Sequence, residues 1–153
     1  MKPDFSQLEC SVARTLEVVG ERWSLLIVRD ALYGVTRFED FQSDLGIARN
    51  ILTDRLKRLV EQGVLERVAY VERPPRYEYR LTERGKDLTP VILTMMSWGD
   101  RWFPGEGGPP VTLTHTLCGH VTNPVVACDA CGKELKRRDL KAEPLPVKAR
   151  RGA

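Results

Sequence analysis

The stretch LGIARNILTDRLKRLVEQGVL, residues 45–65, decides the fold of this 153-residue chain. Leu45-Gly46-Ile47 has the composition of a tight turn. Ala48 to Gln62 has the period of a helix, which Gly63 ends. Leu52, Leu56, Leu59 and Val60 fall on one side of that helix. Asn50, Asp54, Lys57 and Arg58 fall on the other, with Arg49 and Thr53 on the flank near its N-terminus. A helix with an apolar back and a polar front, reached through a short Gly-containing turn, is the second half of a helix-turn-helix.

Upstream, Phe38 to Asp44 reads as the first half, with Phe38, Phe41 and Leu45 at i, i+3 and i+7. Two further helices precede it, Glu21 to Leu32, stopped by Gly34, and Cys10 to Val19 with Leu8, Val12 and Leu16 at near-helical spacing. Downstream, Leu65 to Val71 and Tyr77 to Leu81 have the alternation of strands, and ERPPR interrupts them. Two strands flanking a basic loop, directly behind a helix-turn-helix, predict a wing. Thr82 suits an N-cap for a helix over Glu83 to Phe103, in which Pro90 is expected to bend the helix or mark a new start.

The fold class expected is therefore mainly α with a small β-wing (α+β), a winged helix-turn-helix. Residues 1–103 form its DNA-binding and dimerisation domain. Residues 104–112, opening with PGEGGPP, read as a linker, 113–140 as a zinc-ribbon-like extension and 141–153 as a basic disordered tail. The N-terminal MKPDFSQLEC has no apolar signal-peptide core, and no apolar run is long enough for a bilayer, so a cytoplasmic protein without a membrane partner is expected.

A net charge of +3 conceals an asymmetry. Residues 48–86 hold ten Lys/Arg against six Asp/Glu, and residues 133–151 hold eight against three. Basic charge gathered on the helix-turn-helix and wing is the footprint of a polyanion, with a solvated face as the plainer alternative. An α-helix fits the major groove, and its N-terminal side chains reach base edges. Arg49 suits a paired hydrogen bond to guanine and Asn50 one to adenine, while Thr53 suits a thymine methyl or a phosphate. Lys57 and Arg58, further along, suit phosphates, as do Arg37 ahead of the third helix and Arg73 and Arg76 around Pro74-Pro75 in the wing. Asp54 would repel phosphate and is expected to face cytosine, pair with a basic neighbour or stay clear.

These motifs resemble those of the HxlR-type winged-helix transcriptional regulators, relatives of the MarR group. The residues that carry the resemblance are Cys10, GERWSLLIVRDAL (20–32), RFEDF (37–41), LGIARNILTDRLKRLVEQGVLERVAY (45–70), PPRYEYRLTERGKDLTPVI (74–92) and Trp98-Gly99. The resemblance implies a dimeric repressor or activator. Two departures stand out. Ala48 replaces a usual Ser, removing a hydroxyl that would cap the recognition helix, and Gly20-Glu21-Arg22-Trp23 stands where Gly-Gly-Lys-Trp is common.

Dimerisation has its own argument. Val91, Met95, Trp98 and Trp102 put more large apolar side chains on one helix than a small domain readily buries, and Leu16 adds to the first helix. A two-fold dimer through these helices sets two recognition helices one DNA turn apart, roughly 34 Å, and predicts an inverted-repeat operator.

The chain's four cysteines fall in two places. Cys10, near the start of the first helix, is where some relatives sense oxidants or electrophiles; an inert thiol is the alternative, and Glu9 disfavours thiolate. The tail carries Cys118-x-His120-x7-Cys128-x2-Cys131-Gly, with His115 just upstream. Zinc takes four S and N ligands in a tetrahedron. Cys118, Cys128 and Cys131 supply three and His120, or else His115, the fourth. A segment this short gains a reason to fold from a structural Zn2+. A Cys128/Cys131 redox pair is the rival. The function expected is a DNA-binding regulator with a possible small-molecule or oxidant effector. The rivals are a thiol oxidoreductase, which lacks a general base, and a winged-helix module that binds protein.

Overall fold

The computed structural model describes residues 9–143, and they group into two compact units that divide between Met96 and Ser97. The divide falls inside a helix, ahead of the linker expected at 104–112. Leu8 and residues 144–153, most of the expected basic tail, lie outside the described residues.

The first unit runs α1 (Ser11–Val19), α2 (Ser24–Leu32), α3 (Phe38–Leu45), α4 (Arg49–Glu61), β1 (Leu65–Glu72), β2 (Pro75–Leu81), α5 (Glu83–Lys86) and the start of α6 (Thr89–Trp102). This is the predicted winged helix-turn-helix. Gly46 closes α3 in the left-handed region (φ 59°), a conformation that costs a residue without Cβ little, and so makes the tight turn into α4. Leu52, Leu56 and Leu59 are fully buried, together with Ile27, Val28 and Phe41 from α2 and α3. The 3.6-residue apolar period of α4 is thus its docking face.

Antiparallel β1 and β2 pair from Leu65 opposite Leu81 to Glu72 opposite Pro75, with a bulge between Ala69 and Val71. Buried Leu65 anchors the inner end of this wing. Its flank is pinned to the approach of α3, where the Thr36 carbonyl accepts the Tyr79 N–H at 2.7 Å and Arg37 forms a bridge with Glu78.

Three local expectations shift. Glu21–Trp23 forms a turn ahead of α2, with the Ser24 N–H bonding the Glu21 carbonyl at 2.9 Å. The helix expected over 83–103 is two helices. Thr82 caps α5 by accepting the Gly85 N–H, and Pro90 sits in the first turn of α6, where its missing N–H costs no intrahelical bond. In the wing the turn is only Arg73-Pro74. Pro75 opens β2, a position where a strand tolerates proline.

The second unit contains the end of α6, the two-residue strands β3 (Thr114–His115) and β4 (His120–Val121), and a short 3-10 turn at Arg137–Asp139. No described residue beyond Ile92 is buried.

Candidate nucleic-acid interface

With its leucines turned inward, α4 presents Arg49, Asn50, Thr53, Asp54 and Lys57 to solvent. Ala48 takes the N-cap position without a side-chain hydrogen bond, so the helix opens with free main-chain N–H groups. Thr53 Oγ1 donates to the Arg49 carbonyl at 2.8 Å, which leaves its methyl and oxygen lone pairs outward. Asp54 is taken by a basic neighbour, in an ion pair with Arg55. Lys57 lies 3.8 Å from Glu61 on an exposed turn, a loose pair that leaves the ammonium available.

Arg58 needs correction. The helical wheel puts it beside Lys57, yet its Nη2 donates to the Glu17 carbonyl at 2.8 Å and its Nη1 stands 3.5 Å from Glu21 Oε1. It ties α4 to the junction of α1 and α2, and its side chain is only partly exposed. Arg55, which the sequence reading passed over, does the same, with Nη2 bonded to Glu21 Oε2 at 3.0 Å and its side chain 15% exposed. No pattern within α4 points to Glu21, more than thirty residues upstream.

Between the start of α4 and the wing lies an open cleft of about 690 Å³. Arg37, Arg49, Arg67 and Arg76 line it, against Glu39 and Asp40. The two carboxylates sit in the first turn of α3, where the helix dipole favours them. Three of the arginines are held by rings. Arg37 lies 5.1 Å from the centroid of Tyr70, Arg49 4.7 Å from that of Phe38 and Arg67 3.5 Å from that of Tyr77. A guanidinium stacked on a ring keeps its edge N–H groups free for an anion. Arg76, expected at the wing's tip, stands in β2 opposite Val71 and lines this cleft, while Arg73 alone marks the exposed tip. Arg67 and Tyr70 escaped the sequence reading. Arg67 pairs with Tyr79, and the alternation already noted for Tyr77 and Tyr79 extends to it across the ladder.

The other expected sites lie elsewhere. Cys10 is exposed at the N-cap of α1. Leu16, Met95, Trp98 and Trp102 are exposed and Val91 is half-buried; Trp98 and Trp102 each keep 60% of their surface open. An open groove of about 330 Å³ beside α1 is lined by Arg14, Val18, Val64, Arg84 and Leu88 among others.

In the second unit all three cysteines are free thiols. Cys118 Sγ lies 3.3 Å from His115 Nδ1, and backbone N–H groups of Cys131 and Ala130, with the Cys131 side chain, hold the Cys128 thiol below its usual pKa. His120 pairs across the ladder with His115. Among the described residues no three His, Cys, Asp or Glu side chains are gathered as one metal ion requires. Nor is any described helix long and apolar enough to cross a membrane.

The chain is similar to known proteins. Residues 18–106 match the HxlR-like helix-turn-helix family. A protein of Mycobacterium tuberculosis named as an uncharacterized HTH-type transcriptional regulator, Rv3095, is 48% identical over 136 residues, spanning 89% of this chain and 86% of its own. The crystal structure of PA1607, a proposed transcription factor, superposes with a TM-score of 0.80 at 39% identity, covering 91% of this chain and 97% of that one. The redox regulator HypR in its reduced form gives a TM-score of 0.57 at 34% identity, over 60% of this chain and 92% of its own. With the family's domain matched over most of the first unit and a relative matched along nearly the whole chain, this protein belongs to the HxlR-like helix-turn-helix family.

Proposed function

We propose that the protein is a homodimeric transcriptional regulator that binds double-stranded DNA at an inverted-repeat operator. The observation that carries this reading is the continuity of the outward row on α4 with the arginine-lined cleft reaching the wing. Arg49 and Asn50 read base edges in the major groove, Thr53 touches a thymine methyl or a phosphate, and Lys57, Arg37, Arg73 and Arg76 hold the backbone. Arg67 joins the phosphate contacts. The relatives' names are those of regulators, so we read the chain as a DNA-binding protein and not an enzyme, acting in the cytoplasm. An effector would enter the groove beside α1, whose two arginines suit an anionic ligand.

Selection of binding sites from a random double-stranded DNA pool by the purified protein tests the reading. An enriched inverted repeat, bound with an affinity that falls steeply as salt rises, is expected. A pool from which nothing is enriched, with no salt-dependent binding, would favour a protein-binding winged helix.

A second reading concerns signalling. Cys10 is exposed at a helix N-terminus, and structural relatives include proteins described as redox regulators. We infer that its oxidation weakens operator binding. Treatment with hydrogen peroxide should release DNA from the parent protein and not from Cys10→Ser; equal release from both would sink the idea.

A further inference from the structure

The second unit contains the same small structure twice, and the repetition picks out four metal ligands. In residues 113–122, His115 pairs with His120 and Thr114 with Val121. The Gly119 N–H bonds the His115 carbonyl at 2.7 Å, the Thr122 N–H bonds the Leu113 carbonyl at 2.9 Å, and Gly119 has φ 73°. In residues 126–135, the Cys128 N–H bonds the Lys133 carbonyl at 2.8 Å and Ala127 bridges Glu134. The Gly132 N–H bonds the Cys128 carbonyl at 2.8 Å, the Leu135 N–H bonds the Val126 carbonyl at 2.8 Å, and Gly132 has φ 71°. The glycine N–H bond at the turn, the bond that closes the hairpin and the Thr114–Val121 pairing of the first hairpin recur in the second, thirteen positions on. His115 therefore corresponds to Cys128, Cys118 to Cys131, Gly119 to Gly132 and His120 to Lys133.

We propose that the two hairpins are a pair of zinc knuckles, and that His115, Cys118, Cys128 and Cys131 together bind one structural Zn2+. Each turn offers two donors from positions 1 and 4, with a left-handed glycine at position 5 that lets the backbone curl beneath them. The first pair already has about the right spacing. Ligands about 2.3 Å (S) and 2.0 Å (N) from a tetrahedral zinc stand roughly 3.6 Å apart, against 3.3 Å between Cys118 Sγ and His115 Nδ1. The two pairs do not converge on one point in this structure. Only Asn123-Pro124-Val125 joins the hairpins, and the proposed site requires this short connector to turn so that the two pairs meet around the ion.

The motive for a metal is the missing core. No described residue of this unit is buried, and Leu117, Val121, Val125 and Val126 are all exposed. Hairpins this short are not stable alone in water, and a metal that ligates both supplies what a core would. His120, the histidine nearer to Cys128 in sequence, stands where the second hairpin has Lys133, which marks a strand position and not a ligand position. This inference is independent of the DNA-binding reading.

The test is zinc content of the full chain, by elemental analysis and native mass spectrometry under reducing conditions, for the parent, His115→Ala, His115→Cys, His120→Ala and Cys131→Ser. One zinc per chain is expected in the parent, in His120→Ala and in His115→Cys, which makes the two knuckles alike. Cys131→Ser should lose it, and His115→Ala should lose it to a chelator that the parent resists. Cobalt(II) added to the metal-free parent should give the absorption bands of tetrahedral thiolate coordination. An unchanged melting transition of the winged helix would show that the variants fold. Zinc lost from His120→Ala and kept by His115→Ala would overturn the ligand set. A reduced parent that neither carries nor takes up zinc, or a metal-free chain with a Cys128–Cys131 disulfide, would overturn the site.

Discussion

Arg58 on α4 ties back to the end of α1, its Nη2 donating to the Glu17 carbonyl at 2.8 Å. The same guanidinium reaches Glu21, so one side chain fastens the junction of α1 and α2 to α4. Arg58→Ala removes a half-buried charge-assisted bond to the Glu17 carbonyl. It should cost about 1.5–3 kcal/mol of stability, read as a lower denaturation midpoint, and change the salt dependence of DNA binding little. Arg49→Ala should do the reverse. Stability should hardly move, while binding to the best operator should weaken by about 1–3 kcal/mol with relaxed preference at one base pair.

The arginines of the cleft should separate from Arg49 by their lack of sequence preference. Arg37→Ala and Arg76→Ala are each expected to weaken binding to all DNA sequences evenly and to lower the slope of log affinity against log salt by about 1. Fluorescence anisotropy titrations at several salt concentrations measure both. A slope unchanged in both variants would remove the cleft from the interface.

Much of this was legible in the sequence, for a physical reason. The helix-turn-helix announces itself because Leu52, Leu56 and Leu59 are local repeats of one period, and Gly46 and Thr82 are local end signals. The inward bonds of Arg58 are not legible in the sequence, because Lys57 and Arg58 are equivalent in charge and neighbours in sequence. Only the fold of residues 17–21 onto α4 distinguishes them. Arg73-Pro74-Pro75-Arg76 has the composition of a four-residue loop. The actual turn has two residues, which draws Arg76 into the ladder. In the tail the sequence shows the Cys and His side chains but not how they correspond, since the equivalence of His115 with Cys128 lies in backbone hydrogen bonds and not in residue identity.

Gly85 offers a test of packing away from any site. It is buried in α5, and a Cβ built on it would lie 2.2 Å from the Val64 carbonyl oxygen and 2.8 Å from Leu81 Cδ2. The carbonyl belongs to the backbone that also receives the Thr82 N–H at 3.1 Å, so it has little freedom to withdraw. Gly85→Ala should destabilise the winged helix by about 1–3 kcal/mol, despite the better helix propensity of alanine. A urea denaturation curve decides it. A variant as stable as the parent would mean that α5 shifts freely against the wing.

The dimer proposal makes the most demanding prediction. Met95, Trp98 and Trp102 fall on one face of α6 at i, i+3 and i+7, and each remains more than half exposed. Exposed tryptophans at helical spacing are expensive in water unless another surface covers them. The double variant Trp98→Glu/Trp102→Glu should therefore sediment as a monomer at concentrations where the parent sediments as a dimer. Its recognition helix would be untouched, so affinity for a single half-site should stay the same. Affinity for the full inverted repeat should drop by about 10²–10⁴-fold, because the second half-site is no longer reached by a tethered partner. The comparison between half-site and full-site DNA keeps a folding defect from passing as support, since a misfolded variant would lose both. A double variant that stays dimeric would move the interface off α6, and the operator geometry would have to be derived from another pair of faces.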